Sequence, residues 1–307
     1  MPISYLNKII PSGTPRWLMG QTLHTPGREK FAGYKDKGLA WGFIGQEQLD
    51  AIEMLELWPD DQTTTQIPPV VARLPNLKAL IIPSWFVATL RSTDLPDSLE
   101  VLQVGVSTEK KPKVSWNKDL TLPQIRSLDL GRVASDFYAG CFPGLRNTLT
   151  ITAGNKRLLL TEICRCAQLK HLFLYKAGSV ADLNMAGAPG LEFAAWMEAR
   201  NADFDGLTGY HHLKEAEIKW NKSLISLRGL EQLTQLEQLE VSGCPKLEDL
   251  GTVAAMSRLK WLRVIDCGAA WAANETELKK RFTRAGFEKV RFESYGKHRL
   301  LEAWREL

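Results

Sequence analysis

The chain has 307 residues, a net charge of +4, 44% hydrophobic residues and 24% charged residues. That balance is ordinary for a folded globular chain, and the charge is too small to argue for a nucleic-acid partner. No apolar run approaches the roughly 18 residues of a membrane span, and the first residues lack a basic start followed by a long apolar segment. A cytoplasmic location is therefore expected, with no membrane partner.

Residues 1–48 are rich in Gly and Pro and carry no repeat. They hold one apolar patch, with Trp41, Phe43 and Ile44. A stack of repeats exposes its core at both ends, so a terminal segment must cover it. These residues are expected to be an N-terminal cap.

A repeat starts at Leu49 and is clearest late in the chain. Leu233-Thr-Gln-Leu236-Glu-Gln-Leu239-Glu-Val241-Ser-Gly-Cys244 is followed 23 residues later by Met256-Ser-Arg-Leu259-Lys-Trp-Leu262-Arg-Val264-Ile-Asp-Cys267. The central position recurs at Leu55, Leu80, Leu102, Leu128, Leu149, Leu172, Ala194, Ala216, Leu239 and Leu262, in steps of 21 to 26 residues. Such a period signals a solenoid.

Around each marker, alternation predicts a strand whose marker, and the residue two later, point inward. The returns carry an apolar residue every third position, as in Leu224, Leu227, Leu230 and Leu233. That rhythm suits 3₁₀ turns better than long α-helix. Two longer steps predict edge loops near 58–67 and 107–116, the second with Lys110, Lys111, Lys113 and Lys118.

The pattern resembles the leucine-rich-repeat superfamily, in its internalin-like class of about 22-residue repeats. The resemblance implies an α/β repeat solenoid: a horseshoe with a parallel concave sheet, about ten repeats over residues 49–274, and caps at both ends. It also implies that Asn221, Cys244 and Cys267, each five after a marker, bond the backbone of the turn.

Beyond the repeats, Glu275 to Ala285 reads as an amphipathic helix ended by Gly286. Phe287 to Glu293 reads as a strand and His298 to Leu307 as a short helix. Together they are expected to cap the C-terminal end over residues 275–307, with Leu278, Phe282, Val290, Phe292 and Trp304 inward.

Catalytic signatures are absent. There is no phosphate-binding Gly-rich loop, nucleophile elbow or paired-histidine zinc motif. His211 and His212 are adjacent and point apart on extended chain, a poor metal pair. The cysteines number five, too few and too scattered for a disulfide or zinc framework. They are expected to be reduced and mostly buried. No cofactor, metal or catalytic residue is expected.

The concave face is where binding is expected. Its outward positions lie one before, one after and three after each marker. They place His171, Phe173, Tyr175, Phe193 and Met197 in an apolar, aromatic patch. Glu215, Glu217 and Glu240 form an acidic patch beside it, and Trp261 and Arg263 close the row. Exposed aromatics beside charges suit a protein partner, and the carboxylates would repel nucleic acid. The expected function is protein binding without catalysis, as a cytosolic immunity protein that neutralises a cognate bacterial toxin with a basic surface. The alternatives are an effector or adaptor that binds a host protein, and an enzyme with its site in the caps.

Overall fold

The computed structural model describes residues 16–20, 50, 52–58, 65–69, 71–105, 113–131, 134–153, 157–268, 275–295 and 298–305. Trp41, Phe43, Ile44, Lys110 and Lys111 lie outside the described residues. The chain forms two compact units, Met1–Ile151 and Thr152–Leu307.

In the first unit, β1 (Arg16–Gly20), β2 (Met54–Trp58), β3 (Ala79–Pro83), β4 (Val101–Gly105), β6 (Ser127–Asp129) and β8 (Thr148–Thr152) lie side by side. A separate pair is formed by β5 (Lys113–Val114) and β7 (Ala134–Ser135). All these pairs are parallel, and the markers stand opposite one another: Leu55 with Leu80, Leu80 with Leu102, Leu102 with Leu128, Leu128 with Leu149. The leucine period does not announce β1, which runs parallel to β2 with Trp17 opposite Leu55.

The second unit continues the same construction with β9 (His171–Tyr175), β10 (Phe193–Met197), β11 (Glu215–Lys219), β12 (Gln238–Ser242) and β13 (Trp261–Ile265). Leu172, Ala194, Ala216, Leu239 and Leu262 are in register across them. Parallel strands in register at this period, joined by short returns around a leucine core, make each unit a leucine-rich-repeat solenoid.

The hydrogen bonds show how one coil fixes the next. The backbone N–H groups of the residue two before a marker and of the residue one before it both donate to one carbonyl of the preceding coil. Glu237 and Gln238 N–H donate to Lys214 O at 2.8 and 3.0 Å, and Lys260 and Trp261 repeat this on Glu237 O at 2.7 and 3.1 Å. Inside the coils the markers are almost fully buried, and so are Leu224, Leu227, Leu230, Leu247, Leu250 and Val253 of the returns.

Of the two Ala markers, Ala194 has a packing reason. Trp196, two after Ala194, is wholly buried and packs on Phe204 at 5.4 Å and on Tyr210 at 5.3 Å between ring centroids. The indole fills volume that a leucine would take, and interiors do not tolerate both.

The returns at Leu230–Gln232 and Gly251–Ala255 are 3₁₀ turns, as the period of three predicts. Two others are α-helical: α1 (Arg157–Cys164) and α2 (Val180–Met185). In α1, Leu159, Leu160 and Ile163 are buried at helical spacing. In α2, the Ser179 hydroxyl caps the helix by accepting from Asp182 N–H at 3.2 Å.

At the C-terminal end, α3 (Glu275–Arg284) forms as expected, and Gly286 follows it at φ +87°. The short helix expected from His298 does not form. His298–Trp304 is instead strand β15, antiparallel to β13 on one side and to β14 (Lys289–Tyr295) on the other. The physical reason is the open edge of β13, whose backbone groups need partners. The alternate burial of Leu301 and Ala303 matches a strand and not a helix. Of the expected inward residues, Phe282 is buried, while Leu278, Val290, Phe292 and Trp304 are only partly covered. Phe287 is the second buried ring, edge-on to Phe282 at 5.3 Å. No described helix is long and apolar enough to cross a membrane.

Candidate functional site

The register of the second unit sorts the outward side chains of β9 to β13 into three rows. The first is His171, Phe193, Glu215, Gln238 and Trp261. The second is Phe173, Ala195, Glu217, Glu240 and Arg263, which Glu302 of β15 extends. The third is Tyr175, Met197, Lys219, Ser242 and Ile265. The ten residues singled out in the sequence thus share one face, opposite the leucine core.

Sharing a face is not the same as being accessible. Phe173, Tyr175, Phe193 and Met197 keep only 8, 8, 7 and 5% of their surface. His171 is the one exposed member of that patch. The expectation of an exposed aromatic platform is corrected here. Strand spacing brings large neighbouring side chains into contact. Phe173 and Phe193 lie 4.9 Å apart between centroids, and His171 meets Phe193 edge-on at 6.0 Å.

The acidic patch is also organised differently. Lys219 Nζ sits 2.8 Å from Glu217 and 3.1 Å from Glu240. Arg263 reaches Glu240 at 3.7 Å and Glu302 at 3.4 Å. Burial works against the Lys219 charge, but Glu217 and then Glu240 outweigh it and hold the ammonium above its ordinary range. The patch is a linked ion network with an excess of carboxylates, counting Glu215, which is exposed at its head. Glu302 was missed because its strand was read as a helix. Lys219 was visible as an outward position, but its pairing needs the strand register.

A second charged row lies two residues before each marker. It reads Glu53, Lys78, Glu100, Arg126, Asn147, Lys170, Glu192, Lys214, Glu237 and Lys260, alternating in sign except at Asn147. In the second unit Glu192 takes Lys170 at 2.5 Å and Lys214 at 3.2 Å, and Lys260 takes Glu237 at 2.8 Å. The two lysines, through their hydrogen bonds, hold the Glu192 carboxyl below its usual range. Lys170, Glu192, His212, Lys214 and Gln235 line an open cleft of about 420 Å³. Reading the marker period for charge as well as for leucine finds this row.

The turn position behaves as the resemblance implies. Asn221 is fully buried, donates to Asn201 O at 3.0 Å, and accepts from Ser223 N–H at 2.9 Å. Cys267 Sγ meets Ile265 O at 3.2 Å, and Cys244 Sγ meets Ser242 O at 3.5 Å. The coil that carries β10 has Ala199 at this position, and the buried Asn201 two residues later supplies the amide, donating to Asp203 O at 2.6 Å. All five cysteines are free thiols, four of them buried as expected and Cys164 exposed.

No family profile and no curated protein matches the sequence. Among solved structures, internalin C2 from Listeria monocytogenes str. 4b F2365 is similar at 17% identity and a TM-score of 0.39, covering 72% of this chain and 84% of that one. The fold assignment rests on the strand register and the leucine core described above.

Proposed function

We propose that the chain is a non-catalytic protein-binding module, and that the open face over β9 to β13 and β15 engages a partner with a basic surface. The observation that supports this is the ion network. Glu215, Glu217, Glu240 and Glu302 outnumber Lys219 and Arg263 on rigid, in-register strands. Charges held on a scaffold lose little entropy on binding and steer an oppositely charged partner. The same carboxylates repel phosphate backbones and speak against nucleic acid. His171, Trp261 and the rims of the buried rings supply apolar contact beside the charges. In this reading residues 1–48 and 275–307 are caps around repeats 49–274. The role that fits is a cytoplasmic immunity protein that occupies a cognate bacterial toxin and neutralises it.

Affinity capture from the native cell, followed by co-expression with the captured protein, tests the proposal. The expected result is one stoichiometric basic protein, toxic alone and harmless beside the wild-type chain. Glu215→Lys with Glu217→Lys should lose both capture and protection. A folded double variant that keeps its partner removes this face as the site. A captured partner without toxicity removes the immunity role alone.

A further inference from the structure

Each coil of the second unit leaves its strand through a residue in the left-handed region: Lys176, Glu198, Trp220, Gly243 and Asp266, at φ between 52° and 64°. The turn keeps each N–H in the ladder; Trp220 N–H donates to Ser242 O at 2.9 Å. Left-handed backbone is costly for a bulky side chain, and Gly or Asn would relieve it. At position 220 the chain nevertheless carries its largest side chain, and leaves it 43% exposed. Trp220 and Ile225 are the exposed large hydrophobics among the described residues.

Gly243 completes the arrangement. A Cβ there would stand 2.7 Å from Trp220 Cδ1, so the indole lies against a bare backbone. The row beside it carries carboxylates. Glu198 is held 3.8 Å from Lys176, and Asp266 2.7 Å from His298. Next in the chain, Lys219 ties Trp220 to the Glu217 and Glu240 network.

We propose that Trp220 is the anchor for a basic protein partner and takes an arginine side chain on its indole. This rests on the face described above being the binding site. A planar guanidinium stacks on an indole better than an ammonium does, and nearby carboxylates add charge complementarity.

The probe is a fluorescein-labelled hexa-arginine peptide, with hexa-lysine beside it, titrated with the full chain and read by fluorescence anisotropy. The wild type should bind hexa-arginine the more tightly. Trp220→Ala should weaken that binding about tenfold and abolish the preference for arginine, while Trp220→Phe keeps most of both. Thermal melts of each variant separate lost binding from lost fold. If Trp220→Ala binds as the wild type does while Glu217→Gln with Glu240→Gln loses binding, the anchor is wrong and the face stands. If the wild type fails to bind hexa-arginine or prefers lysine, the anchor is likewise overturned, and the capture experiment decides the face separately.

Discussion

Asp129 shows how one residue can carry a cost that the sequence hides. It sits at an outward position of β6, yet keeps only 2% of its surface. One carboxylate oxygen accepts from Gly131 N–H at 2.8 Å, and the other has no hydrogen-bond partner among the described residues. Burial pushes the carboxyl up to about 7, against the smaller lowering by Gly131. The folded state therefore holds a proton that the unfolded chain releases from about pH 4. Stability attributable to this group falls as pH rises from about 4 to about 7, and the penalty is complete above that. Asp129→Asn keeps the acceptor for Gly131 and cannot ionise. It should exceed the wild type in stability by about 2 to 4 kcal/mol at pH 8 and match it near pH 4. Urea unfolding at the two pH values checks this; a gap that does not change with pH refutes the account.

At the scale of elements, the C-terminal hairpin closes an edge that the repeats leave open. β15 lies antiparallel on β13, and Leu301 stands opposite Val264 with no exposed surface. Arg305 adds a clamp, donating to Met256 O at 2.9 Å and to Ala285 O at 2.8 Å. Leu301→Ala should cost about 2 to 5 kcal/mol, as for other fully buried leucines. Coils stabilise their neighbours, so amide exchange should accelerate first in β13 and β15 and least in β9. A uniform acceleration across the unit would mean that the hairpin is not a local cap. The alternating row of Glu192, Lys214, Glu237 and Lys260 works at the same scale. Surface ion pairs of this kind contribute little each, but a coil stacked out of order would set like charges side by side.

For the whole molecule, the balance of charge and the placement of charge say different things. The chain is net positive at +4, while the face over β9 to β13 carries a carboxylate excess. A basic partner should therefore be drawn to one face and not to the chain at large. Association with the captured partner should slow at least tenfold between about 50 mM and 500 mM salt. Dissociation should change less. Stopped-flow kinetics across that range provides the check, and an on-rate indifferent to salt would argue for an apolar interface instead.

The sequence by itself determined the ladder. Ten markers, spaced 21 to 26 residues apart, predicted which residues stand opposite one another, and eight of the pairings are seen within the two units. They could be read because a strand has a period of two and stacking repeats it. The same alternation put all ten candidate residues on one face. Tertiary structure alone decided how much of that face is open. Phe173, Tyr175, Phe193 and Met197 point outward and are still covered, because accessible area depends on neighbours from other coils. It also decided which charges pair. Lys219 finds Glu240 and Arg263 finds Glu302 only once strands 23 or more residues apart are set side by side. And it decided that His298–Trp304 is a strand, since the open edge of β13 supplies hydrogen bonds that no local propensity records.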